Sequence, residues 1–64
     1  MPIIDISLAE GRTDEQLRDL MQRVHNAVEE WGAPASSIRV LVREVPPTQW
    51  LSGGTTLAEL RGVK

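Results

Sequence analysis

The sequence predicts an α+β fold built on one short β-α-β unit with parallel strands, and three observations predict it. Ile4, Ile6 and Leu8 alternate with Asp5 and Ser7 behind a proline, the period-two pattern of a half-buried strand. Leu17, Leu20, Met21, Val24, Val28 and Trp31 then recur at spacings of three and four, an apolar stripe along one side of a helix. The run Ile38-Arg39-Val40-Leu41-Val42-Arg43-Glu44-Val45 follows, rich in the β-branched residues that strands favour. Strand, helix and strand in succession supply the crossover that parallel pairing requires.

The first strand is expected over Pro2–Leu8, and Gly11 gives it a tight exit. Thr13-Asp14-Glu15-Gln16 is a capping box: the threonine hydroxyl and the glutamine side chain each satisfy a backbone N–H of the other. Asp14 and Glu15 complement the positive end of the helix dipole. Arg18, Asp19, Gln22, Arg23, Asn26 and Glu29 lie opposite the stripe; His25 borders it as a structural residue, and Trp31 closes it as part of the core. Gly32 fits the residue just past a helix end, and Pro34 prevents the helix from resuming. Ala35-Ser36-Ser37 reads as a polar link of one turn. In the second strand Ile38, Val40 and Val42 share one face and Arg39, Leu41 and Arg43 the other, until Pro46-Pro47 ends it. Thr48–Ser52 is a short extended or looping piece and Gly53-Gly54 a turn signal. Thr56-Leu57-Ala58-Glu59 repeats the capping box ahead of a very short helix near Leu57–Arg61.

With 64 residues, the chain is expected to be one domain over 1–64. Folding at this size buries only about 60% of the unfolded surface, and such a core supplies roughly 3–5 kcal/mol. Cysteine is absent and there is one histidine, which excludes disulfides and argues against structural zinc. Self-association is the stabilising device left, and the free strand edges and Leu41 point to it. The net charge of −2 comes from interspersed acids and bases, without the clustered lysine and arginine of a nucleic-acid footprint. No apolar run approaches the ~20 residues of a membrane span, and no signal-peptide pattern precedes the strand. A soluble, cytoplasmic protein is the expectation.

Pro2 carries the most specific chemistry. Behind it Met1 is expected to be removed, leaving a cyclic secondary amine at the N-terminus. That amine serves as a base near neutral pH if desolvation and nearby guanidiniums lower its pKa. Taken singly, Pro2 reads first as the start of an edge strand, where a missing N–H costs nothing. Arg12 follows the strand-ending glycine and Arg39 lies within an apolar strand. Each offers a rigid fork for a carboxylate, or pairs with an acid such as Glu10 or Glu44. Arg43 reads as solvated or ion-paired. Trp50 suits a pocket wall or a subunit interface. No nucleophile, phosphate-loop or dinucleotide pattern is present.

Together, Pro2-Ile3, the run Glu10-Gly11-Arg12-Thr13-Asp14-Glu15-Gln16, Ser37-Ile38-Arg39-Val40, Glu44-Val45-Pro46, Trp50 and Gly53-Gly54 resemble the 4-oxalocrotonate tautomerase family over nearly the whole chain. The resemblance implies a β-α-β fold with a C-terminal β-hairpin, assembled as a hexamer of three dimers with sites where subunits meet. It implies catalysis without metal or organic cofactor. Pro2 would shuttle a proton from an enol hydroxyl to a conjugated carbon, as in the conversion of 2-hydroxymuconate to 2-oxo-3-hexenedioate in aromatic catabolism. Arg39 would hold the 2-oxo acid end, Arg12 the distal carboxylate, and Trp50 would stand where the family commonly has phenylalanine.

Two departures bear on substrate. Ala9 replaces a leucine of the best-known members and opens that side of the pocket, and the segment before Pro34 is one residue shorter. Alternatives are a tautomerase for monocarboxylic enols such as phenylpyruvate, or a dehalogenating or hydrating relative, which would need a further acid. A non-catalytic assembly subunit is the remaining one, its proline blocked by retained Met1.

Overall fold

In the computed structural model, which describes residues 1–62, the chain forms a β-α-β unit followed by a C-terminal arm. The expected unit of 1–64 runs, for its last two residues, outside the described range. Strand β1 covers Ile3–Ala9, one residue later at each end than the alternation placed it. Pro2 has no N–H to give a ladder, although its carbonyl accepts the Arg39 N–H at 3.0 Å. Helix α1 covers Asp14–Trp31 and starts on the anticipated box: Thr13 Oγ1 accepts the Gln16 N–H at 3.1 Å, and Gln16 Oε1 accepts the Thr13 N–H at 2.9 Å. At its end the Gly32 N–H donates to the carbonyls of Val28 and Glu29.

Ala35–Ser37 forms a 3₁₀ turn, and the Ile38 N–H closes it onto Ala35 O. Strand β2 therefore begins at Arg39 and runs to Val45. It pairs parallel with β1 in the register Ile3↔Arg39 to Ala9↔Val45. Ile38 and Val40 face α1, while Ile3, Asp5, Arg39, Leu41 and Arg43 are exposed. Beyond a second 3₁₀ turn at Pro47–Gln49, β3 (Leu51–Ser52) and β4 (Thr55–Thr56) form an antiparallel hairpin. Its two-residue loop is Gly53-Gly54 with φ of 60° and 88°, the positive pair that a type I′ turn needs. Helix α2 (Leu57–Leu60) carries the second capping box. Bonds from the Thr56 hydroxyl and N–H hold the Glu59 carboxyl below its ordinary range. That contact is complete at neutral pH and is lost as pH falls through the carboxylate range.

The core is small. Ala9, Ala33, Ile38 and Ala58 are the buried apolar residues, and among the described residues no large side chain is fully enclosed. Ile38 is the one sizeable member, so Ile38→Ala is expected to cost about 2–4 kcal/mol, measurable by urea unfolding at fixed protein concentration. Trp31, expected in the core, is instead 83% exposed. The 18 residues of α1 span about 27 Å at 1.5 Å each, whereas the 7-residue strands span about 23 Å. The helix is thus longer than the strands, and the tryptophan at its end is left uncovered.

The dimensions carry the same message. The radius of gyration is 14.8 Å, against about 11 Å for a compact chain of this length. The surface is 4838 Å², against about 4,100 Å² expected for a folded monomer of this mass. Met1, Ile3, Trp31, Leu41, Leu51 and Leu60 are all exposed, an apolar inventory suited to subunit contacts.

Candidate active site

Four of the five candidate residues fall into two groups at opposite ends of the strand pair, and Trp50 lies apart from both. Pro2 and Arg39 form the first. Pro2 is half-buried just ahead of β1 and is linked to Arg39 through the 3.0 Å backbone bond. With Met1 in place the Pro2 nitrogen is an amide; Met1 itself is 81% exposed, open to an aminopeptidase.

Arg39 Nη1 donates to Ser36 O at 2.9 Å and to Ile38 O at 3.2 Å. The turn behind it is braced by Ser37 Oγ, which donates to Pro34 O at 2.8 Å. Local geometry thus tethers one nitrogen of the guanidinium to main chain and leaves the Nε–Nη2 edge for a carboxylate or enolate oxygen. Ser36 enters this arrangement through its carbonyl, which is why side-chain chemistry in the sequence did not single it out.

Ala9 and Arg12 form the second group. Arg12 Nη1 donates to Ala9 O at 3.0 Å, and the small Ala9 side chain is itself buried. Gly11, with φ of 129°, turns the chain sharply here. The N–H groups of Gly11 and Arg12 both donate to Glu44 Oε2, at 3.0 and 3.2 Å. Residue type alone offers Glu44 as an ion-pair partner for an arginine; the structure gives it main-chain partners instead. Trp50 lies in the C-terminal arm, half-buried, its carbonyl accepting the Leu57 N–H at 2.8 Å.

Neither Arg12 nor Arg39 pairs with a carboxylate among the described residues, whereas Arg43 Nη1 pairs with Asp5 Oδ1 at 2.9 Å. Both candidate guanidiniums are thus held by carbonyl oxygens alone. His25 Nε2 lies 3.6 Å from Glu29 Oε1, one turn along α1. It also borders a groove of about 290 Å³ between α1 and β2, with Met21 and Ile38, that contains none of the five candidates. Among the described residues no cluster could hold a metal ion, and no helix is long and apolar enough to cross a membrane.

The family model described as "Tautomerase enzyme" matches residues 2–60. The 2-hydroxymuconate tautomerase of Pseudomonas putida is 39% identical over 61 residues, covering 94% of this chain and 97% of its own. TomN, a 4-oxalocrotonate tautomerase homologue of the tomaymycin biosynthetic pathway, superposes with a TM-score of 0.91 at 37% identity, covering 95% of both chains. A heterohexamer 4-oxalocrotonate tautomerase from Chloroflexus aurantiacus J-10-fl gives a TM-score of 0.85 at 37% identity, covering 95% of this chain and 100% of its own. With a proline-initiated strand and these relatives along almost its full length, the chain belongs to the 4-oxalocrotonate tautomerase family and is an isomerase.

Proposed function

We propose that the chain is a cofactor-independent keto–enol tautomerase of 2-hydroxymuconate-like dicarboxylates, with the Pro2 amine, freed by loss of Met1, as its base. The observation that carries this reading is the coupling of Pro2 to Arg39, whose free guanidinium edge lies at the head of the neighbouring strand. The full-length likeness to a 2-hydroxymuconate tautomerase supports the substrate class.

The amine takes the proton of the 2-hydroxyl, electrons shift along the diene, and the same proton returns to C5 to give the 2-oxo-3-ene. Charge builds on the C2 oxygen meanwhile, and Arg39 is the group placed to stabilise it. Arg12 receives the distal carboxylate, and Trp50 supplies an apolar wall that keeps the amine neutral.

On this reading the site is the joint product of several chains. Arg12 is tied to Ala9 O, about 23 Å along β1 from Pro2, several times the span of a six-carbon dicarboxylate. One substrate therefore reaches a proline and an Arg12 from different copies. Antiparallel pairing of two copies brings the Ala9 and Arg12 end of one toward the Pro2 and Arg39 end of the other. The small core and extended arm favour such an assembly, and a hexamer is its expected form.

The test is a panel on protein of verified intact mass, with 2-hydroxymuconate and the enol of phenylpyruvate as substrates. Arg12→Ala is expected to raise KM for the dicarboxylate about tenfold or more, since a charge-assisted fork is lost, and to leave the monocarboxylate little changed. Faster turnover of phenylpyruvate by the unaltered protein would replace the dicarboxylate reading with the monocarboxylic one.

A further inference from the structure

We propose that Glu44 is a positioning residue for Arg12 and, through it, sets the preference for substrates with a second carboxylate. The inference rests on the reading of Arg12 as the distal carboxylate binder. Glu44 occupies the penultimate position of β2, opposite Leu8 in the parallel register. Its Oε2 accepts two N–H groups that lie 33 and 32 positions earlier in the chain, those of Gly11 and Arg12. The positive φ of Gly11 belongs to the sharp turn in which both N–H groups converge on one oxygen, a conformation that a residue with a side chain adopts only at a cost. Hydrogen bonds to an ionised acceptor are stronger than neutral ones. Thr13, the cap of α1, comes next, so the carboxylate also lies near the positive end of the helix dipole.

What distinguishes the contact is what Glu44 does not touch. A glutamate beside an arginine ordinarily neutralises it, but this one grips the arginine's main chain, and no Glu44 ion pair occurs among the described residues. The guanidinium is anchored separately, through one nitrogen, on Ala9 O. Arg12 is thus fixed at both ends while its charge and most of its donors remain for a ligand. Loosening the main-chain anchor returns conformational freedom to the loop, and that freedom must be lost again whenever the distal carboxylate binds.

The readout is the ratio of kcat/KM for 2-hydroxymuconate to that for phenylpyruvate enol in four variants: Arg12→Ala, Glu44→Ala, Glu44→Gln and the double alanine. Glu44→Ala is expected to lower this ratio about fivefold through KM. Glu44→Gln should restore most of it, because its amide oxygen still accepts both N–H groups. The double variant should fall no further than Arg12→Ala alone. If Arg12→Ala lowers the ratio but Glu44→Ala weakens both substrates alike, Glu44 is only a structural clamp and the proposal is overturned while the role of Arg12 stands. If Arg12→Ala leaves the ratio unchanged, the reading of Arg12 fails and the proposal with it. Amide hydrogen exchange on the unaltered protein keeps the test open should Glu44→Ala not fold. Slow exchange at Gly11 and Arg12 is expected, and fast exchange at both removes the contact.

Discussion

Pro2→Ala, prepared with Met1 removed, is expected to lower kcat for 2-hydroxymuconate about a hundredfold, at the lower end of what a positioned acid–base group contributes. The loss is not total because an N-terminal alanine still presents an amine. That amine is primary, is not held by a ring, and rotates freely about its N–Cα bond, so its lone pair is aimed less well at the substrate. Protein that keeps Met1 is the harsher case. There the nitrogen is an amide with no usable basicity, and turnover through this route disappears although every side chain is present. Spectroscopic assay of the three preparations, each checked by intact mass, orders them as processed protein, then Pro2→Ala, then Met1-retained. Equal rates for processed protein and Pro2→Ala would sink the proton-shuttle role. Folding is a weak confounder here, since the backbone bond that Pro2 makes to Arg39 uses its carbonyl, which alanine also has.

The same residues explain which features are legible in the sequence. Strand, helix and caps were legible because each rests on local spacing: Ile4, Ile6 and Leu8 at period two, the α1 stripe at three and four, and Thr13 three residues before Gln16. The structure moved their ends by one residue. Trp31 was misplaced because its burial depends on a comparison between elements. Its spacing fits the stripe, yet α1 is longer than the strands, and the stripe's last member is left exposed.

The candidate site was legible as a set of residue types but not as a place. Pro2 and Arg39 neighbour each other because parallel pairing puts the starts of both strands side by side. Arg12 is remote for the same reason, at the far end of β1, and Trp50 leaves the sheet altogether with the arm. Glu44 escaped for a different reason. Its partners are main-chain N–H groups, which every residue has, so no residue type marks them. Only the register that brings the end of β2 beside the exit of β1 reveals the contact.

Arg39→Ala is expected to reduce kcat by about 10²–10³-fold, the range seen when one donor aimed at developing negative charge is removed, with a much smaller change in KM. The reasoning follows from where the charge is. In the bound enol the C2 oxygen is neutral and makes an ordinary hydrogen bond. As its proton leaves, the oxygen becomes anionic, and a guanidinium already oriented by Ser36 O and Ile38 O meets it without reorganising. Stabilisation that grows along the reaction coordinate appears in kcat, whereas binding common to ground and transition states appears in KM. Arg39→Lys should recover only part of the loss. An ammonium restores charge, but it cannot hold two carbonyls with one nitrogen while presenting a planar donor edge to the substrate with the others. The fold tolerates the change, because Arg39 is exposed and its ladder bond to Pro2 comes from the backbone. Steady-state kinetics on variants matched to the parent by circular dichroism and sedimentation decide the matter: an effect confined to KM would reduce Arg39 from a stabiliser of the dienolate to a simple anchor for the 2-oxo acid end.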